Sequence, residues 1–365
     1  MPGSKAIGIA VIGCGTIGRI RAVLAKQHAA VGWLGLCDRD ENVGRRLATD
    51  VAADMFTTDV AQLVARPEVD AVIVATDENE HERPAVLAAS AGHALFVEKP
   101  LATTAAASRR VLDAIEAAEV DAVVGYTQRF RRRFLAAKAR LEGGAVGEVT
   151  TVVTRAFMNR MVPLATLRRT ELRTTLTPMV VSGTHSVDLC LWLMGDKTPE
   201  RVYARSVDRV LGVHGTKDAT LGVVTMADGT LWSMNISWAL PTVWPGSVYG
   251  LEVGIVGTSG VIDIEDTHRD LVLASEFPQG GGYEPEGFAP DAMRHVDFLT
   301  SYPPGDEYAG QFWGPMREET NAWFARVVSG LATPHATAVD AHRALLVCLG
   351  MDEAATRGEE IKLQA

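Results

Sequence analysis

The segment "VSGTHSVDLCLW" (181–192) places His185 three residues before Asp188 at the start of an apolar run. On a helix that spacing puts both side chains on one face. An imidazole exchanges a proton near neutral pH, and a neighbouring carboxylate can orient it. The same pair also suits a plain helix entrance, and these residues alone leave both readings open. A second constellation lies near the other end of the chain. "VIGCGTIG" (11–18) sets Gly13, Gly15 and Gly18 in a G-x-G-x-x-G array between an apolar run and a helical pattern. In that context the first glycine permits a tight turn, the second lets backbone approach a pyrophosphate, and the third lets helix and strand pack closely. The helix start at Thr16 and Ile17 then offers backbone N–H groups to the phosphates. Asp38, twenty residues past Gly18, suits the hydroxyls of an adenosine ribose. Its charge favours NAD, while Arg39 beside it keeps NADP open, because a guanidinium can clamp a 2′-phosphate. Lys99, in "LFVEKPLA" (95–102), stands just past a strand, at the edge where open α/β sheets hold ligands. Glu98 is placed to partner the nicotinamide ribose or to orient the lysine.

The elements that must position these residues are legible as two textures. Up to about residue 125, short continuously apolar runs (6–12, 31–37, 69–76, 94–97 and 121–125) alternate with helical patterns. Continuous apolarity is the mark of parallel strands covered on both faces, and the βαβ alternation predicts a doubly wound α/β sheet. From 126 onward, strand-like segments follow one another at 149–157, 201–208, 218–226, 230–238, 249–256, 261–265 and 270–275. "ADG" joins the third and fourth as a hairpin. One helix begins near Ser182 or Gly183, and two amphipathic helices fall at 316–330 and 336–356. This predicts an N-terminal dinucleotide-binding domain over 1–125. An α+β domain with a mostly antiparallel, open-faced sheet follows over 126–365. The segment 277–312, rich in Gly, Pro and aromatics, is read as a long excursion.

Composition sets the outer bounds. A chain of 365 residues exceeds the size at which a single core stops growing. Its formal net charge of −10 argues against a nucleic-acid surface. Cys14, Cys37, Cys190 and Cys348 are scattered without metal-ligand spacing, so buried thiols of a reducing compartment are expected and no metal site is. The apolar start runs straight into the glycine array, which suits a strand better than a signal segment, and no run is long enough to span a bilayer. A cytoplasmic protein acting on a small molecule is the expectation.

Taken together, these residues resemble the Gfo/Idh/MocA family of oxidoreductases. The resemblance rests on "GCGTIG" (13–18), "VATDENEH" (74–81), "EKP" (98–100), "VGYTQRF" (124–130) and "GTHSVDLCLWLMG" (183–195), in that order over nearly the whole chain. It implies a Rossmann domain, a larger domain with an open sheet, and homo-oligomers (dimers or tetramers) assembled through that sheet. It also implies final helices that return toward the Rossmann domain, and NAD(P)-dependent oxidation of a secondary alcohol on a sugar, cyclitol or related ring. Residue by residue, Lys99 matches the lysine that holds the reacting hydroxyl, and His185 matches the general base. Thr76 and His81 join Gly13, Gly15, Thr16, Ile17, Asp38, Arg39, Glu98 and Lys99 at the cofactor, while Asp188 and Arg129 fall at the substrate. Run in reverse, the same groups would reduce a ketone, aldehyde or imine, and a redox-inactive NAD(H)- or sugar-binding relative is the remaining alternative.

The chain departs from the family pattern in two places that bear on substrate. Many sugar and inositol dehydrogenases of the family carry an aspartate four residues before the histidine, where this chain has Val181. That moves the expectation away from inositol- or glucose-like substrates. The segment "FMNRMVPLATLRRTELRTTLTPM" (157–179) gathers Arg160, Arg168, Arg169 and Arg173 against Glu171. Arginine suits bidentate carboxylate recognition, so a carboxylated dihydrodiol or uronate-like ring is expected if these side chains reach the substrate. Trp238, Tyr283, Phe288, Phe312 and Trp313 are candidate apolar walls for such a ring.

Overall fold

Runs with no polar face become strands with no exposed face: every residue of β1 (Ile7–Ile12) is buried. The computed structural model describes residues 6–168, 170, 172–266, 271–277, 295–300 and 302–363. The chain divides into two units, Met1–Phe130 with Glu307–His342, and Arg131–Asp306 with Arg343–Ala365.

In the first unit β1 is followed by α1 (Thr16–Gln27), β2 (Val31–Cys37), α2 (Glu41–Asp50), β3 (Met55–Thr57), α3 (Val60–Val64) and β4 (Ala71–Val74). Then come α4 (Glu82–Ser90), β5 (Ala94–Glu98), α5 (Ala105–Ala118) and β6 (Ala122–Gly125). These six strands lie in the order β6-β5-β4-β1-β2-β3, all parallel. The order reverses at β1, which pairs with β2 on one side and β4 on the other. That reversal opens a crevice beyond the strands' C-terminal ends. Side-chain caps fix helix starts nearby: Asp40 accepts from the N–H groups of Asn42 and Val43 at α2, and Thr104 from Ala107 at α5.

The second unit opens with α6 (Arg132–Glu142), β7 (Val149–Asn159) and α7 (Met161–Leu167). A π-helical segment over Pro178–Gly183 runs into α8 (Thr184–Met194). Five long strands follow: β8 (Pro199–Val207), β9 (Ala219–Met226), β10 (Leu231–Leu240), β11 (Val248–Gly257) and β12 (Val261–Asp266). Their sheet runs β12-β11-β7-β10-β9-β8, antiparallel except for the β7–β10 pair. The β9–β10 hairpin closes through Ala227, Asp228 and Gly229, with the glycine at φ +88 as this turn requires. Strand residues alternate. Val152, Trp232, Met234 and Val224 point into a core shared with Val187, Leu189, Cys190, Leu345 and Met351. The other face leaves Val153, Tyr203, Leu221, Val223 and Leu231 exposed.

Two short pairs come next, β13 (Val272–Ala274) with β14 (Val296–Phe298) and β15 (Asp306–Tyr308) with β16 (Gln311–Trp313). Then α9 (Pro315–Ser329) and β17 (Ala336–Thr337) complete the first unit, β17 adding to β6 antiparallel. The chain ends with α10 (Ala338–Arg357) and β18 (Ile361–Lys362), which joins β8. All four cysteines are buried thiols. Among the described residues no helix is long and apolar enough to cross a membrane.

Candidate active site

The glycine turn separates what the fold needs from what a ligand needs. A Cβ at Gly13, where φ is +97, would fall 2.4 Å from the Ala75 carbonyl oxygen, and one at Gly18 would fall 1.9 Å from that of Gly13. Those two glycines are demanded by backbone packing. Among the described residues a Cβ at Gly15 meets nothing within 4 Å, so their packing does not demand a glycine there. Gly15 caps α1, and among the described residues no side chain caps the free N–H groups of its first turn. An open cradle at an uncapped helix N-terminus fits the pyrophosphate of a dinucleotide.

The neighbouring strand ends complete this half of the site. Asp38 follows β2, with Oδ2 accepting from the Cys14 N–H at 2.7 Å and Oδ1 from the Asp40 N–H at 2.8 Å. The carboxylate is thus oriented from the glycine turn itself, with lone pairs left for ribose hydroxyls. Arg39 reaches Asp77, which follows β4, at 3.3 Å. The Thr76 hydroxyl is buried with no hydrogen-bond partner among the described residues. A buried polar atom left unsatisfied beside an open cradle is a place for a ligand. His81 is 1% exposed; its Nδ1 lies 2.7 Å from the Pro100 carbonyl oxygen and its Nε2 3.2 Å from that of Thr76. Its ring therefore ties the end of β4 to the turn after β5.

Lys99 is half-buried at the end of β5, and the Lys99–Pro100 peptide is cis. Glu98 carries a constellation that the motif reading did not anticipate. Arg21, on α1, is fully buried, and its Nε donates to Glu98 at 2.8 Å. Its Nη2 pairs with Glu319 of α9 at 2.6 Å, and its Nη1 donates to Thr320. The guanidinium also lies 4.3 Å from the centre of the Phe96 ring. One cation thus serves two buried carboxylates. Burial pushes the Glu319 carboxyl up to about 7, with Arg21 opposing and Glu98 reinforcing the rise. His335, whose Nε2 lies 3.1 Å from the Glu319 carbonyl oxygen, is pushed down to about 3 by burial and the Arg21 charge, so it is a neutral ring.

In the second unit the helix carrying His185 is pinned at its start. The Thr177 hydroxyl accepts from the Val180 N–H at 3.1 Å and donates to Asp352 of α10 at 2.5 Å. The π-helical segment that follows widens the backbone just before His185, and such segments occur often at functional sites. His185 is half-buried as the second residue of α8, and Asp188 is 1% exposed. Val181 packs with Leu167, Leu176, Leu211 and Trp238. The Trp238 indole N–H donates to Ser182 at 2.8 Å, so this tryptophan belongs to the buried cluster.

The arginines fall in different places. Arg160 donates to the carbonyl oxygens of Leu240 and Ala239, at 3.3 and 3.5 Å. Arg173 donates to the Thr170 carbonyl oxygen at 3.1 Å, and Arg168 is exposed at the end of α7. Arg129 is buried in the first unit, facing the Pro334 carbonyl oxygen and Asp340. Arg169, Glu171, Tyr283 and Phe288 lie outside the described residues. Phe312 is buried, and Trp313 carries the Arg317 guanidinium 4.2 Å from its ring centre.

Comparison with known proteins bears on both halves. Residues 7–126 match the family described as an oxidoreductase family with an NAD-binding Rossmann fold, and residues 134–263 match the GFO/IDH/MocA C-terminal domain. The inositol 2-dehydrogenase of Acidothermus cellulolyticus is 30% identical over 286 residues, 76% of each chain. The chain belongs to the Gfo/Idh/MocA oxidoreductase family. Within that family, the myo-inositol 2-dehydrogenase of Thermotoga maritima is 26% identical over 280 residues, 73% of this chain and 78% of its own. The fold matches scyllo-inositol dehydrogenase from Lactobacillus casei, solved with NAD(H) and scyllo-inositol, at a TM-score of 0.78 and 18% identity. That match covers 98% of this chain and 99% of the other. This family member is accordingly an oxidoreductase, its first unit is an NAD-binding Rossmann fold, and the glycine cradle, Asp38 and Thr76 are residues that fit NAD.

Proposed function

We propose that this Gfo/Idh/MocA oxidoreductase is an NAD-dependent dehydrogenase that oxidises a secondary alcohol of a cyclic polyol, with Lys99 and His185 as its catalytic groups. The observation that carries the reading is the alignment of the glycine cradle, Asp38, Thr76 and Lys99 along the C-terminal ends of β1, β2, β4 and β5, in a chain whose relatives include inositol 2-dehydrogenases. Bound NAD supplies a hydride acceptor. In this reading the Lys99 ammonium holds the reacting hydroxyl and favours its developing alkoxide, and His185 takes the proton. Asp188, one turn on, orients His185 or meets the substrate. The cofactor contacts are assigned to Gly13, Gly15, Thr16, Ile17, Asp38 and Thr76.

Substrate choice turns on Val181 and the arginines. Val181 sits in an apolar cluster at the position where the family resemblance implies an acid, which favours a ring other than myo-inositol itself. Arg160 and Arg173 donate to backbone carbonyls, which weighs against a carboxylated ring as the substrate. Incubation with NAD and a panel of myo-inositol, scyllo-inositol, a uronate and a cis-dihydrodiol tests the proposal by NADH absorbance. Turnover of at least one cyclic polyol is expected. NAD binding without turnover of any would overturn it.

The exposed apolar row on the open sheet supports a homo-oligomer built through that face. Tyr203, Val223 and Val153 lie on neighbouring strands, with Ser233 between the last two. Leu221→Glu with Val223→Glu should shift sedimentation to the monomer while leaving the fold intact by circular dichroism. An unchanged assembly would remove the face from consideration.

A further inference from the structure

The adenosine end of the cofactor site holds an arginine next to the ribose-reading carboxylate, an arrangement able to serve NADP as well as NAD. Arg39 follows β2 and Asp77 follows β4, and those strands flank β1 on opposite sides. The pair joins Arg39 Nη2 to Asp77 Oδ2 at 3.3 Å, so it runs across the end of β1, where the glycine turn begins. The Arg39 side chain is 74% exposed and that of Asp77 only 24%, so the carboxylate is the anchored member and the long guanidinium chain the one that reaches. The surroundings add negative charge: Asp38, Asp40 and Glu41 follow β2, and Glu78 and Glu80 follow Asp77. Asp38 is held in place by two backbone N–H groups, and the next guanidinium on α2, Arg45, is engaged by Glu41 at 2.6 Å.

Resting on the cofactor site described above, we propose that Asp77 is a specificity-determining residue: by holding Arg39 across the end of β1 it withholds from a 2′-phosphate a guanidinium placed to receive it, and so selects NAD. Asp38 disfavours the phosphate by its charge, and Asp77 does so by occupying the group that would neutralise it. The two devices are separable by mutation.

The test is fluorescence titration of the full chain with NADH and with NADPH, which differ only in the 2′-phosphate. Wild type is expected to bind NADH the more tightly. Asp77→Asn should narrow the NADH-to-NADPH affinity ratio by about two- to fivefold, chiefly through tighter NADPH binding, in line with release of one exposed ion pair. In an Arg39→Ala background the same substitution should leave the ratio unmoved, because the released partner is gone. An unchanged ratio in Asp77→Asn alone overturns the proposal. So does a narrowing of equal size in the Arg39→Ala background, which would assign the effect to simple removal of negative charge. Failure of wild type to bind NADH would instead strike the cofactor site on which the proposal rests.

Discussion

A Glu319→Gln substitution exchanges a carboxylate for a neutral amide of the same shape at a fully buried position beside Arg21. Burial raises this carboxyl from its ordinary 4.5 to about 7, Arg21 opposing and Glu98 reinforcing. Between those values the native chain keeps a proton that the unfolded chain has released. The group's contribution to stability is therefore fully present below pH 4.5 and is lost as pH rises through about 7. At ~1.4 kcal/mol per pH unit, the loss comes to about 3 kcal/mol. The amide that replaces the carboxyl has no proton to lose. The stability difference, variant minus wild type, should thus move in favour of the variant by about 3 kcal/mol between pH 4.5 and pH 8. Urea unfolding at a series of pH values measures it, followed by tryptophan fluorescence, since Trp323 lies against Phe96 in the same cluster. A difference that stays flat across that range, or moves the other way, would refute the charge arrangement inferred around Arg21.

The glycine turn offers a paired comparison. Gly18→Ala forces a Cβ within 1.9 Å of a backbone oxygen and should lower stability by ~3 kcal/mol or more. Gly15→Ala should leave the melting temperature within a degree or two and weaken NADH binding on the order of tenfold, by filling the cradle. Val181→Asp places a carboxylate at a position 5% exposed among Leu167, Leu176, Leu211 and Trp238. It should cost ~3 kcal/mol or more at pH 8 by thermal melting and recover part of that at pH 5, where the carboxyl holds its proton.

Much of the fold was legible because both sheets write their burial into the sequence. The continuously apolar runs of β1, β2, β4, β5 and β6 read directly as covered parallel strands, and "ADG" marked the β9–β10 hairpin in register. The three-residue edge strand β3 was not, since "MFT" is too short to show a period. The start of the His185 helix was visible from its apolar run. The π-helical segment before it was not, because backbone hydrogen-bond register leaves no trace in side-chain periodicity. Cofactor residues were readable from local spacing: Gly13, Gly15, Gly18 and Asp38 lie within 26 residues. The Arg21 cluster was hidden for the opposite reason. Its carboxylates lie 77 and 298 residues away, so the partners meet only through the fold. A signal did exist, as Arg21 interrupts the buried stripe of Gly18, Ala22 and Ala25 on α1. The arginines of 157–179 show the limit of counting charge. Arg160 and Arg173 are held by nearby carbonyls that no composition argument could locate.

The pairing of Lys99 with His185 in one reaction is tested most directly by single-turnover NADH formation, using the polyol that wild type oxidises fastest. Lys99→Ala and His185→Ala should each still bind NADH, yet slow hydride transfer on the order of a thousandfold. For His185→Ala, part of the rate should return as pH rises and hydroxide replaces the missing base. Hydride transfer at the wild-type rate in either variant would contradict the assignment.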